Sequence, residues 1–145
     1  MITVKDILSE KGVQAWTISP DAMVLDALKL MASKGIGALV VFENDDVVGI
    51  LSERDYARKV ILKGRQSQDT TVHDIMTAPV YGVHHETTAE ECMALMTDKH
   101  IRHLPVCKEG KLVGIISIGD VVKAIITQQK VTIENLENYI MGKYQ

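Results

Sequence analysis

Two segments of the chain carry a hydroxyl and a carboxylate at the same spacing. Motif 1 reads Gly-Ile-Leu-Ser-Glu-Arg-Asp and ends at Asp55; motif 2 reads Gly-Ile-Ile-Ser-Ile-Gly-Asp and ends at Asp120. In each, an apolar run typical of a strand leads into a serine, Ser52 or Ser117, where a helix is expected to begin. Backbone N–H groups at a helix start attract anions. We therefore predict that the serine and the aspartate of each motif hold a phosphate and a ribose.

The same residues also fit a purely structural role. A serine before a helix and an acidic residue three positions later form a capping box, although Glu or Gln is the usual partner. Such a cap stabilises a helix by ~1 kcal/mol. The ligand role is favoured because the aspartate and the Gly-apolar-apolar run before the serine both occur twice, and the two roles are compatible.

The motifs belong to a duplicated unit. A shift of 65 residues aligns residues 30–55 with 95–120, with identical amino acids at eleven positions. Nearer the unit starts the shift becomes 68, where residues 4–7 match 72–75 at three of four positions. The change of shift predicts a three-residue difference in length within residues 8–16. Internal repeats of this kind decide the architecture.

Each copy predicts the same order of elements: a helical turn, a short strand, an amphipathic helix, two strands joined by a turn, and a second helix. The segments are residues 4–9, 16–19, 22–34, 38–42, 47–52 and 53–62 in copy 1, and 72–77, 81–84, 104–107, 112–117 and 118–128 in copy 2. The amphipathic helix of copy 2 is indicated by the apolar stripe Ala89, Cys92, Met93 and Met96. Ser19 or Asp21 is expected to cap the first amphipathic helix at its start, and Gly35 at its end. A polar linker, residues 63–70, joins the copies.

A tail outside the repeat follows at residues 131–145. Thr132 is expected to cap a separate short helix, with Ile133, Leu136 and Ile140 on one side. This apolar face is expected to pack on the chain itself or on a second copy.

The bulk properties restrict the class of protein. A chain of 145 residues suffices for one compact domain or two small units that share a core. The net charge of −3 argues against nucleic acid or an anionic membrane as the main partner. No apolar run approaches the ~20 residues of a membrane helix, and residues 1–6 lack a signal peptide's apolar block, so we expect a cytoplasmic protein. Cys92 and Cys107 are expected to be buried thiols.

The two motifs, the element order and the run His-Ile-Arg-His-Leu-Pro-Val at residues 100–106 together resemble a tandem pair of cystathionine β-synthase (CBS) domains, a Bateman module. The resemblance covers residues 4–126. It implies an α/β (α+β) fold of two βαββα repeats, at residues 1–66 and 67–130, packed about a pseudo-two-fold axis beside a shared cleft. A short C-terminal helix at residues 131–145 would follow.

The resemblance also implies a function. Such pairs bind an adenine nucleotide or a related compound (AMP, ADP, ATP, NAD or S-adenosylmethionine) and regulate a partner protein. They form homodimers, and we expect neither catalysis nor a bound metal. By resemblance the aspartates hold ribose hydroxyls, the serines contact phosphate, the short strands line the adenine pocket, and residues entering the middle strand meet base or phosphate. The residues implied are Thr17, Ile18, Ile36, Gly37, Ala38, Ser52, Arg54, Asp55, Gly82, Val83, Ile101, Arg102, His103, Pro105, Ser117, Gly119 and Asp120.

The copies differ at positions that bear on phosphate binding. Copy 2 has Arg102 and His103 where copy 1 has glycine and alanine. Because arginine can grip a phosphate with two donors, copy 2 is expected to have the better-equipped phosphate pocket. In copy 1, Arg54 and Arg58 would supply the charge.

Other functions remain open from the residues alone. The pockets could be empty and the module purely structural. His100 and His103 could ligate a metal or serve a small hydrolase, although no cysteine or carboxylate completes a ligand set at metal spacing. The sequence contains no Gly-x-Ser-x-Gly, Walker loop, HExxH or GxGxxG motif.

Overall fold

The structure is a computed structural model that describes residues 1–12 and 15–142. Copy 1 contains α1 (Val4–Lys11), β1 (Thr17–Ile18), α2 (Val24–Lys34), β2 (Ala38–Glu43), β3 (Asp46–Ser52), α3 (Glu53–Lys59) and a 3-10 turn at Ile61–Lys63. Copy 2 contains α4 (Val72–Ile75), α5 (Ala89–Lys99), β4 (His103–Lys108), β5 (Lys111–Ser117) and α6 (Ile118–Ile140). The predicted mixed α/β fold and order of elements are confirmed. The predicted short strand of copy 2 is reduced to an isolated bridge between Val83 and Val106.

Two small sheets carry the motifs. β1 pairs parallel with β2, and β2 pairs antiparallel with β3. β4 and β5 form the equivalent antiparallel hairpin. The tight turn of the first hairpin has positive φ at Asn44 and Asp45, and that of the second at Glu109 and Gly110, as two-residue hairpin turns require. In both copies the last strand runs directly into a helix, which places each serine at the junction.

The first helix of each copy packs into the hydrophobic core of the other copy. α1 contributes Val4, Ile7 and Leu8 to the core around α5, β4 and β5. α4 contributes Val72 and Ile75 to the core around α2, β2 and β3. Backbone bridges repeat this symmetry, because residue 3 pairs with residue 88 and residue 23 with residue 71. Each core is therefore complete only when both copies are present.

The ends of the amphipathic helices agree with the sequence only in part. Gly35 ends α2 in the left-handed conformation, as predicted, and His100 adopts that conformation at the end of α5. The predicted cap at the start of α2 is wrong: Met23 occupies the N-cap position, and no side chain there accepts a hydrogen bond. Ser19 instead accepts a hydrogen bond from the backbone N–H of Asp21 (3.2 Å), within the preceding turn.

The predicted break before the tail is also wrong. α6 continues without interruption through 23 residues to Ile140. Thr132 does not cap a helix; its hydroxyl donates to the carbonyl of Gln128 (3.1 Å) inside α6. The second half of α6 is exposed, including Ile133 (55%), Leu136 (56%) and Ile140 (80%).

Two further expectations can be compared with the structure. In the described ranges, no helix is both long and apolar enough to cross a membrane. Cys92 is buried and Cys107 half-buried, and neither forms a disulfide. Burial, together with the charge of Glu91, raises the pKa of the Cys92 thiol to about 11, so this thiol is protonated and unreactive at neutral pH.

The glycine of motif 1 is required by packing. A Cβ on Gly49 would lie 2.6 Å from the sulfur of Met76 and 3.2 Å from the carbonyl oxygen of Thr77. We expect Gly49→Ala to lower the free energy of unfolding by ~1–3 kcal/mol, because the segment after α4 would have to move. Urea denaturation measures the effect.

Gly119→Ala is the matched control. A Cβ there would lie 3.6 Å from the Ser117 hydroxyl, an ordinary contact, so a change within ~0.5 kcal/mol is expected. Equal stability of the two variants would show that Gly49 is not fixed by this contact.

Candidate functional site

A cleft of about 480 Å³ lies between the two copies at the end of motif 1. One side of it comes from copy 1 and the other from the segments before and after α5. Its lining contains Gly37, Ile50, Ser52, Glu53, Arg54, Asp55, Arg58, Lys59, Thr77, Pro79, Val80, Tyr81, Lys99, His100, Ile101, Arg102 and His103. Seven of the predicted residues thus meet in one place: Gly37, Ser52, Arg54, Asp55, Ile101, Arg102 and His103.

Asp55 is the buried acceptor of this cleft, with 8% of its surface exposed. Its Oδ2 accepts from the backbone N–H of Ser52 (3.0 Å) and from the Ser52 hydroxyl (3.1 Å). The Ser52 hydroxyl in turn accepts from the backbone N–H of Asp55 (3.2 Å), which completes a capping box. The structural role is therefore present, and the carboxylate still lines the cavity.

Two partners of Asp55 were not foreseen from the sequence. The Thr77 hydroxyl donates to Oδ1 (2.9 Å), and the Lys59 ammonium lies 3.1 Å from the same oxygen. Lys59 also donates to the carbonyl of Ile75 (3.0 Å). The spacing of four residues between Asp55 and Lys59 on one helix is the sequence signal for this ion pair. Thr77 belongs to the other copy, and no local pattern indicates its contact.

The cleft is strongly cationic. Arg54, Arg58, Lys59, Lys99 and Arg102 line it against the carboxylates of Glu53 and Asp55. In the described parts of the chain, the ion pairs found leave the three arginines without an acidic partner. This is a local positive excess in a chain whose net charge is −3. Such a cleft favours an anionic ligand.

Arg102 and His103 both line the cleft of motif 1. His103 also lies close enough to Lys11 and Asp120 of motif 2 for their charges to affect its pKa. The phosphate pocket expected of copy 2 stays a prediction. Burial and the neighbouring charge of Lys11 hold the pKa of His103 below its usual 6.5, against the opposing effect of Asp120. His103 is therefore neutral at pH 7 and can offer one donor and one acceptor.

Motif 2 has a different environment, and Asp120 lines a separate, smaller cavity. The Lys11 ammonium lies 2.7 Å from Oδ2 of Asp120 and donates to the carbonyl of Ile115 (2.9 Å). Asp120 also accepts from the backbone N–H of Ser117 (2.8 Å) and caps α6. Burial by itself raises the pKa of Asp120, but the hydrogen bonds from Lys11 and Ser117 outweigh it and hold the pKa below 3.8.

The other predicted residues lie outside the lining of the motif 1 cleft. They are Thr17, Ile18, Ile36, Ala38, Gly82, Val83, Pro105, Ser117, Gly119 and Asp120. Ala38 and Val83 are buried, and the backbone N–H of Val83 donates to the carbonyl of Pro105 (3.0 Å). Their part in ligand binding stays a prediction.

Comparison with known proteins identifies the family. The sequence profile of the CBS domain matches residues 4–62 and 72–127. The mitochondrial CBS domain-containing protein CBSX3 of Arabidopsis thaliana is 41% identical over 152 residues, which cover 98% of this chain and 73% of that protein. A solved CBS-domain protein from Burkholderia ambifaria is 53% identical with a TM-score of 0.83, covering 88% of this chain and 96% of that one.

A more distant structure shares the fold. It is a CBS domain pair solved in complex with 5′-methylthioadenosine and S-adenosyl-L-methionine, with 23% identity, a TM-score of 0.78, and coverage of 88% of this chain and 98% of that one. At this identity the likeness concerns the fold.

The Lys11–Asp120 pair generates a pH-dependent prediction. The folded pKa of Asp120 is depressed, so the pair stabilises the fold above pH 3.8 and loses its effect as the pH falls through the folded value. Because both side chains are partly exposed, we expect Lys11→Met to lower the free energy of unfolding at pH 7 by about 1 kcal/mol or less. Urea denaturation between pH 7 and pH 3 should show this difference shrinking below pH 3.8.

Lys5→Met removes another lysine of α1 and serves as the control. Its stability should stay close to that of the parent chain throughout this range, because the charge of Lys5 has only a minor effect on the exposed carboxylate of Asp6. A loss in Lys11→Met that persisted unchanged at pH 3 would contradict an ion pair with Asp120.

Proposed function

The chain belongs to the CBS domain family, and we propose that it is a regulatory module that binds an adenine nucleotide in the motif 1 cleft and modulates a partner protein. The observation that most supports this is the meeting of a ribose acceptor, Asp55, with three arginines from both copies in one cavity. The proposal includes no catalysis and no bound metal.

The contacts of Asp55 suggest how binding is transmitted. Ribose hydroxyls replace the bonds that Thr77 and Lys59 make to Oδ1, and the released ammonium joins the arginines around the phosphates. Thr77 belongs to copy 2, so the exchange changes a contact between the copies. The two states then differ in affinity for the nucleotide, which is what a switch requires.

The charge of the cleft favours phosphate-bearing ligands among the adenosyl compounds. AMP, ADP, ATP and NAD bring negative charge to Arg54, Arg58 and Arg102. S-Adenosylmethionine brings a sulfonium and an ammonium against one carboxylate, so its net charge is positive and the arginines repel it. The remaining predicted residues, including Thr17, Ile18 and Ile36, are proposed to border the base.

Titration calorimetry tests the binding proposal. We expect ADP to bind, S-adenosylmethionine to bind at least tenfold more weakly, and Arg102→Gln to weaken ADP binding on the order of 5–100-fold through loss of a bidentate phosphate contact. The melting temperature of Arg102→Gln should be unchanged, since its side chain is exposed and has no ion-pair partner among the described residues.

Lys108→Gln is the matched control, because it removes an exposed cation at the far end of β4, the strand that begins directly after Arg102. Equal ADP affinity of the Arg102 and Lys108 variants would refute the phosphate role. If neither AMP, ADP, ATP, NAD nor S-adenosylmethionine gives heat or shifts the melting temperature, the protein is a structural module with empty pockets, which is the competing hypothesis.

We also propose that the module forms a homodimer to which α6 contributes. Exposed apolar residues on α6 follow the alternating spacing of four and three that packs one helix against another: Val122, Ile126, Ile133, Leu136 and Ile140, with Gln129 completing the stripe. A helix that leaves its own domain has little stability without such packing. Lys130 and Glu137 flank the stripe one heptad apart, so antiparallel pairing of two copies brings opposite charges together.

Sedimentation velocity tests this dimer. Leu136→Asp places a charge in the stripe and should weaken dimerisation at least tenfold, because the charge would be desolvated. Asn135→Asp adds the same charge beside it, off the stripe, and should leave the dimer intact. A monomeric parent chain would refute the homodimer, and a dimer indifferent to Leu136→Asp would place the contact elsewhere.

A further inference from the structure

We infer that Lys11 acts as a built-in occupant of motif 2, so that each chain binds one nucleotide and not two. The inference rests on the proposed function, because it concerns the same ligand at the second copy of the motif. Duplication alone would give two equivalent sites, and the structure shows where that equivalence is lost.

The first helices of the two copies, α1 and α4, differ in length. α4 has four residues, and the chain after it is extended, so that the backbone N–H of Thr77 donates to the carbonyl of Ile50 (2.8 Å). α1 has eight residues and continues for another turn. That turn carries Lys11, whose ammonium donates to the equivalent carbonyl, of Ile115 (2.9 Å).

Lys11 also contacts the carboxylate of motif 2. The same ammonium lies 2.7 Å from Oδ2 of Asp120, the oxygen that also accepts from the backbone of Ser117. Lys11 thus occupies two acceptors of motif 2 at once. Asp55 also has a lysine partner, but Lys59 comes from its own helix and leaves the cleft open. Lys11 comes from the other copy and contacts two acceptors of motif 2.

The cavity at motif 2 also leaves less space and less positive charge for a ligand. The cavity at Asp120 is about 250 Å³, roughly half that of the motif 1 cleft, and is lined by Ile7, Glu10, Lys11, Asp120, Lys123 and Ala124. The shift of 65 residues replaces Arg54 by Gly119 and Lys59 by Ala124. With Lys11 engaged by Asp120, Lys123 is the cation of this lining that remains for a phosphate, and Glu10 opposes it. A nucleotide therefore gains little here.

Counting the ADP molecules bound per chain by titration calorimetry tests the inference. We expect one in the parent chain. In Lys11→Met the carboxylate of Asp120 and the carbonyl of Ile115 are released, and a second, weaker binding step should appear. It is sought with adenosine as well as ADP, because the loss of Lys11 leaves Glu10 and Asp120 against Lys123 and disfavours a phosphate. That second step should be absent again in the double variant Lys11→Met, Asp120→Asn. Lys5→Met, on the same helix, should retain one ADP.

The possible results separate this inference from the proposed function. Two ADP molecules on the parent chain, or a single binding step on Lys11→Met with both ADP and adenosine, would overturn the role of Lys11 and leave nucleotide sensing intact. A second step that survives Asp120→Asn would place the new site elsewhere and would also overturn it. No binding to the parent chain or to any variant would overturn the proposed function, and this inference with it.

Discussion

The hydrophobic core of each copy contains side chains from the first helix of the other copy, and the positions of both motifs follow from this exchange. Val72 and Ile75 are fully or almost fully buried beside strands that are distant in sequence, as Val4 and Ile7 are on the other side. Burial of a Val or Ile side chain contributes roughly 1.5–3 kcal/mol. Separation of the copies would expose all of these side chains, so the exchange holds the interface closed.

The same exchange makes the two motifs unequal. The chain that leaves α4 places the Thr77 hydroxyl, a neutral donor, on Asp55. The chain of α1 remains helical and places the Lys11 ammonium on Asp120. Two motifs of nearly the same sequence thus differ in the partner that each receives from the other copy. The chemistry of each motif is decided by residues outside it.

The parts of the fold that depend on local pattern were predictable from the sequence. The hairpins, Gly35 at the end of α2 and the serine at each strand–helix junction all follow from spacing and residue type within about ten residues. The continuity of α6 was also readable in retrospect, because no proline or glycine interrupts residues 120–140. Thr132 suggested a cap, but a threonine inside a helix can donate to a carbonyl four residues earlier, as it does here.

The composition of the site was less predictable. The roles of Thr77 and Lys11, and the meeting of Arg102 with motif 1, depend on how the copies are placed against each other. A pattern that repeats within the chain suggests that each copy carries its own complete site. Packing about an axis between the copies instead assembles one site from both, and the sequence does not show which residues cross.

A single repeat without the other would lack the first helix that completes its hydrophobic core. Two identical single repeats could complete both cores by exchanging their first helices. Because the two chains of such a pair are identical, every substitution would appear in both pockets. Joining the repeats in one polypeptide removes that obligation. A lysine can then occur beside one aspartate without occurring beside its counterpart. One pocket can then bind a ligand while the other has a structural role.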